Sequence, residues 1–307
     1  MNPNTPAQSD DYLICVACGT QFPTTGCHTL KACFICDDPR QYTPASGQSF
    51  TTLSAIRSRH KNEFRSHPDD SRLISITTTP KFAIGQRAIL IRTPAGNILW
   101  DCVTLLDSET ITGIQKLGGL KGIVISHPHY YSTHVEWAAA FNCPVYLAAE
   151  DKQWIARPSE HPVFLDQVET EIDADWRKTG IKVIKLGGHF PGSLVLLFEE
   201  HLFVADTLMI TPAGMANWRV NALGEPRERP PGVNTFAFMW SIPNYIPLGP
   251  DDISRMWDIL KEYTFTSTHG AFVGQDVEDV QVKDRVLDSM RIQLKSMGYK
   301  DHPLLLD

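Results

Sequence analysis

The 307 residues predict an α/β fold in stacked layers, with a small separate segment at the N-terminal end. Two patterns carry this. From about residue 71 to the end, β-rich runs alternate with helical stretches at spacings suited to layers packed on a common core. Residues 12–42, by contrast, hold two Cys-x-x-Cys pairs but too short a chain for an apolar core of their own.

Composition narrows the class. A hydrophobic fraction of 42% and a charged fraction of 21% are globular values, and the net charge of −7 argues against a dominant polyanion-binding role. No apolar run approaches the roughly 20 residues that span a bilayer. The polar start (Met1-Asn-Pro-Asn-Thr-Pro) lacks a basic-then-apolar signal pattern, so a cytoplasmic protein is expected. Of the seven cysteines, four form the two pairs, Cys27 lies between them, and Cys102 and Cys143 stand singly in apolar segments. An odd count with paired spacing favours reduced thiols that bind metal over a disulfide framework.

In chain order, residues 1–11 read as a disordered lead. Cys15, Cys18, Cys33 and Cys36 then match the spacing of a four-thiolate structural zinc site, with Cys27 and His28 as bystanders. Residues 43–70 read as a polar connecting segment. Its basic cluster of Arg57, Arg59, His60, Lys61 and Arg65 suits a solvated helix face better than a nucleic-acid patch. Strands are expected at 73–79, 88–92 and 97–101, separated by Pro80, Gly85 and the 94–96 turn. A helix capped by Ser108 and closed at Gly118-Gly119 follows. The run Ile123-Val-Ile-Ser-His127-Pro-His129-Tyr-Tyr-Ser-Thr-His134 then takes a buried strand into three histidines at the head of a 135–141 helix. Imidazole is the commonest protein metal ligand, so this junction is the first candidate for a metal centre.

The second half repeats the device. A strand over 181–186 runs into the glycine-flanked His189, a hairpin over 194–207 ends at Asp206, and a strand over 265–270 ends at His269. Residues 207–250 are irregular and rich in Pro, Asn and aromatic side chains, a length that implies a binding role. Helices are expected over 251–263 and 277–297, whereas His161 and His201 read as ordinary loop and strand residues.

The order of these elements, with Asn97-Ile-Leu-Trp-Asp101, Gly187-Gly-His189-Phe-Pro-Gly192, Val-Ala-Asp206-Thr and Thr268-His269-Gly270, resembles the metallo-β-lactamase fold. The resemblance covers roughly residue 73 to the end, so the expected domain is 71–307, an αβ/βα four-layer sandwich with the metal site at the edge between its two sheets. It implies a first metal position held by His127, His129 and His189, with Asp206 as bridging carboxylate and His269 as the terminal ligand of a second position. The family's His-x-His-x-Asp-His motif is broken, because Tyr131 and Ser132 stand where its Asp and last His belong. One zinc ion, or two, is therefore expected at the catalytic site besides the one at the four cysteines.

Three roles for His134 stay open: a substitute ligand with Asp206 and His269, a hydrogen bond to substrate, or a helix cap. Tyr131 either donates to a developing oxyanion or fills space. Asp206 is expected to orient water and shuttle a proton, and Asp101 to support a ligand histidine. The function expected is metal-dependent hydrolysis of a small ester, lactone, thioester or lactam. The alternatives are a metal-dependent nuclease and a non-catalytic binding protein of the same fold. A small-molecule substrate is the expected partner, nucleic acid and membrane are not, and an exposed zinc ribbon offers a homo-oligomer contact.

Overall fold

The structure, a computed structural model, describes residues 9–26 and 28–306; Cys27 and the first eight residues of the expected lead lie outside them. Seven strands form the first sheet: β1 (Lys61–Ser66), β2 (Leu73–Thr79), β3 (Arg87–Ile91), β4 (Ile98–Trp100), β5 (Gly122–Val124), β6 (Val145–Ala148) and β7 (Pro162–Leu165), in that spatial order. The first three pairings are antiparallel and the rest parallel. A second sheet of six strands follows: β8 (Glu169–Ala174), β9 (Arg177–Lys185), β10 (Leu194–Phe198), β11 (His201–Phe203), β12 (Ser267–His269) and β13 (Asp276–Glu278). Only the β11–β12 pairing there is parallel. Parallel neighbours need a crossover, and helices supply it on the outer faces.

Three apolar clusters make the layers. Ile89, Ile91, Trp100 and Val124 of the first sheet meet Val183, Leu196 and Phe203 of the second in the shared interior. Helices α1 (Ser108–Lys116) and α2 (His134–Phe141) cover the first sheet through Ile114, Trp137 and Ala138. Helices α3 (Pro250–Leu260) and α4 (Val282–Ser296) cover the second through Ile253, Met256, Val286 and Met290. Each such fully buried side chain is worth about 1.5–3 kcal/mol of transfer free energy, so the sandwich, not local propensity, fixes where strand ends fall.

The expected elements appear with instructive shifts. Asp107, not Ser108, caps α1, its carboxylate accepting from Thr110 N at 2.7 Å. The basic stretch within 43–70 is not a solvated helix face throughout. Only Leu53–Arg57 is helical, and Lys61–Ser66 is the edge strand of the first sheet. Its charged, exposed residues are what an unpaired sheet edge needs to resist association. Ser9, expected in a disordered lead, is buried and donates to Glu136 Oε2 at 3.1 Å. The final helix starts at Val282, because Asp276–Glu278 joins the second sheet first.

The N-terminal segment packs on the sandwich instead of hanging beside it. Leu13–Cys15 pairs with Phe50–Thr52, and Ile14, Leu53 and Ile56 cluster with Leu105.

Candidate metal centre

Chain reversals beyond three strand ends bring four side chains together. His127 follows β5 by three residues and His129 sits in the short helical turn Pro128–Tyr130. His189 follows β9 on a loop whose Gly187 and Gly188 both have positive φ, and Asp206 follows β11. One ligand atom from each of the four lies within 4.8 Å of the others. His127 Nε2, His129 Nδ1 and His189 Nε2 stand 3.3, 3.7 and 3.7 Å from Asp206 Oδ2, and His189 Nε2 stands 3.2 Å from His129 Nδ1. Ligands about 2.1 Å from a shared tetrahedral ion would sit roughly 3.4 Å apart, which matches.

The hydrogen-bond wiring says what these atoms carry. Asp101 accepts from Ser126 N at 2.7 Å and from Ser126 Oγ at 3.0 Å, and Ser126 Oγ lies 2.9 Å from His127 Nδ1. Burial pushes Asp101 up to about 7, against the hydrogen bond from Ser126 and the charge of His127. In its ionised form it takes the one hydroxyl proton of Ser126, which must then accept from His127 Nδ1–H. That leaves a lone pair on His127 Nε2. The expected support of a ligand by Asp101 is thus relayed through Ser126.

On the other side, His189 Nδ1 donates to Met239 O at 3.3 Å, leaving its Nε2 lone pair facing His129. His127 Nε2 and Asp206 Oδ1 are buried with no hydrogen-bond partner. Burial lowers His129 to about 4 and His189 well below the usual imidazole range. Burial alone would raise Asp206, but the histidines, His127 first, hold its carboxyl well below the usual range. Lone pairs and a carboxylate converging in a dry interior are a costly arrangement unless a cation lies between them. The donor set therefore fits a divalent metal ion.

Phe190 seals the cluster, its ring 5.8, 5.0 and 5.2 Å from those of His127, His129 and His189. Arg40 lies over Phe190 at 3.9 Å, flanked by Trp154 and Trp240, and donates to His189 O at 3.4 Å. Asp38 fixes that guanidinium through bonds of 2.7 and 2.9 Å. The irregular 207–250 stretch takes part as well. Besides Met239, it sends Ser241 and Asn244 to Pro39 O at 2.9 and 2.7 Å. The site is closed, with Asp206 at 6% the most exposed of the four. Two surface cavities, of about 720 and 1120 Å³, are lined by other residues.

Three residues expected at the centre are placed elsewhere. His134 Nδ1 donates to Tyr131 O at 2.8 Å at the start of α2, its Nε2 is buried without a partner, and no side chain caps that helix start. The Tyr131 hydroxyl donates to Asp151 O at 3.5 Å. His269 turns its ring to Asp276 (3.0 Å) and His201 (3.0 Å), because Arg87 anchors Asp276 with bonds of 2.8 and 2.9 Å. Arg40 was missed by the sequence reading, since nothing local ties it to residues 150 positions away.

Cys15, Cys18, Cys33 and Cys36 form a second converging group, buried like the first, and His67, Asp69 and Glu278 a third that is more exposed. Cys15–Cys36 and Cys18–Cys33 sulfur distances are both 3.6 Å, close to the roughly 3.8 Å edge of a tetrahedral thiolate site. Hydrogen bonding to Cys15 and burial push the Cys18 and Cys36 thiols well up, so a cation is again what would let all four ionise.

Fold and cluster together define a class: an αβ/βα sandwich with a metal-binding group at its strand ends. The family model of the metallo-beta-lactamase superfamily matches residues 83–273, and the chain belongs to that superfamily. It is 38% identical over 267 residues to the uncharacterized protein YmaE of Bacillus subtilis (strain 168), covering 85% of this chain and 88% of that protein. Among solved structures, DIM-1 metallo-beta-lactamase superposes with a TM-score of 0.53 at 15% identity, over 76% of this chain and 100% of that one. VMB-1 gives 0.51 at 12% identity, over 78% and 100%. These likenesses establish the fold. Among the described residues, no helix is long and apolar enough to cross a membrane.

Proposed function

We propose that this protein is a zinc-dependent hydrolase of a small carbonyl substrate, an ester, lactone, thioester or lactam. The observation that carries this is the buried convergence of His127, His129 and His189 on Asp206 Oδ2, with His127 Nε2 and Asp206 Oδ1 left without a hydrogen-bond partner. Three imidazoles beside one carboxylate suit zinc. Zinc held there supplies Lewis-acid chemistry, polarising a carbonyl oxygen and lowering the pKa of water toward neutral.

The chain's own groups do the rest. Asp206 Oδ1, buried and unbonded, is placed to orient a water and hold its proton. Phe190, with Trp154 and Trp240 around Arg40, keeps bulk water from the four ligands. Arg40 contributes a positive charge beside His189. Tyr131 and Ser132 provide no second metal position, which disfavours a nuclease, since phosphodiester hydrolysis leans on paired ions. Four reduced thiols suit a cytoplasmic setting.

The test is turnover of an ester, lactone and lactam panel by zinc-loaded protein, with metal content measured alongside. His127→Ala should lose one ion per chain and all turnover while keeping its fold. Activity that survives the substitution rejects the assigned site. A second reading, a non-catalytic metal-binding protein, is favoured by the closure of the site. It predicts no turnover on the panel although His127→Ala still costs one ion.

A further inference from the structure

A second group of histidines lies at the open edge of the sandwich, where β11 and β12 run side by side. His201 faces Ser267 in the ladder and His269 faces Phe203. The rings of His201 and His269 are 5.2 Å apart, and that of His67 stands 5.2 Å from His269. The His201–His269 separation is close to that of the ring pairs at the first metal centre, 5.0–5.1 Å, whereas His67 and His201 are 6.4 Å apart.

Counting protons identifies what this group lacks. Asp276 is an ionised carboxylate, bound on both oxygens by the buried Arg87. His269 Nδ1, 3.0 Å away, must therefore donate to it, leaving the lone pair on Nε2. Asp70 is likewise held ionised by Arg72, and His201 Nε2 faces it at 3.5 Å; the tautomer that puts the His201 proton on that side leaves its lone pair on Nδ1. In that tautomer two lone pairs confront each other at 3.0 Å. Ser267 Oγ, 2.8 Å from His201 Nδ1 and 3.4 Å from His269 Nε2, has one proton and can relieve only one of them. A cation between the rings would satisfy all three atoms at once.

We propose that His201 Nδ1, His269 Nε2 and Ser267 Oγ form a further binding site for a zinc-class divalent cation, with water completing its coordination. Carboxylates behind both imidazoles, Asp70 and Asp276, give each the orientation and basicity that metal-bound histidines need. The site is reachable, because His201 and Ser267 line the cavity of about 720 Å³. Burial lowers both imidazoles, which favours a metal over an added proton. His67 is not a ligand. Its Nδ1 accepts from the backbone N–H groups of Asp69 and Asp70, and its Nε2 is taken by Glu278 at 2.7 Å.

The test is zinc stoichiometry of the full chain after saturation with Zn²⁺ and removal of loose metal. Three ions per chain are expected, falling to two in His201→Gln, whose amide can still reach Ser267. His127→Ala removes a different ion, so failure here leaves the hydrolase reading untouched. Two ions in the wild type, or three in both proteins, overturns the proposal and leaves the pair holding a proton. An anomalous-scattering map of zinc-soaked wild-type crystals decides without any variant. A peak between His201 and His269 supports the site, and its absence refutes it.

Discussion

The two sides of His129 have opposite fates. On one side, His127, His189 and Asp206 keep a metal position with all its ligands buried and aimed inward. On the other, the four-cysteine knuckle packs against Ser132, one of the two residues that break the family motif. Ser132 Oγ donates to Gly19 O at 3.2 Å, Ser132 O accepts from Gln21 N at 3.2 Å, and Gln86 bridges Cys18 O (2.9 Å) and His129 O (3.4 Å). Of the two residues that break the family motif, Ser132 is thus a docking residue. The difference teaches that a position released from ligand duty can be reused to hold a neighbouring segment.

Restoring the motif is the strongest way to break this comparison. Tyr131→Asp combined with Ser132→His should gain no ion, because residue 132 is already packed against Gly19 and Gln21 of the knuckle. It should cost about 4 kcal/mol or more by burying polar groups without partners. Denaturant unfolding and metal analysis check both halves, and one extra zinc per chain would mean the position is still open.

A smaller loss is expected from Gly19→Ala. Gly19 has φ +83°, and a Cβ there would lie 2.1 Å from Thr104 Oγ1. Strain and overlap together predict about 2–4 kcal/mol of destabilisation, with the knuckle loosened first. Limited proteolysis should then cut near residue 45 before the sandwich; simultaneous loss of both would show the docking is not a separable contact. The mildest change is Ser132→Ala, which removes the hydrogen bonds to Gly19 O and Thr104 Oγ1. About 1–2 kcal/mol should go, with zinc content unchanged, and a lost ion would make Ser132 part of the metal centre after all.

What the sequence reveals tracks how local the cause is. The four cysteines are legible because the two-residue gaps alone put paired thiols on tight turns. His127, His129, His189 and Asp206 are legible because each lies just past a strand, and strands of one sandwich end at a common edge. The direction of His269 is not legible. It depends on Asp276 being held by Arg87, a contact between residues 189 positions apart. The edge strand β1 escapes for a different reason: its charged residues satisfy solvent, not the core, so no apolar alternation marks it. His201 gains meaning only through the register that sets it beside Ser267.

The knuckle grips the retained metal position from two directions, through Gly19 and Gln21 at Ser132 and through Arg40 at His189 O. Thermodynamic linkage follows. Whatever free energy the thiolate-bound ion contributes to ordering that grip is shared in part with the histidine ligands, and the coupling is reciprocal. Metal ions bound at the two groups would therefore be mutual effectors, and stripping one should weaken retention of the other.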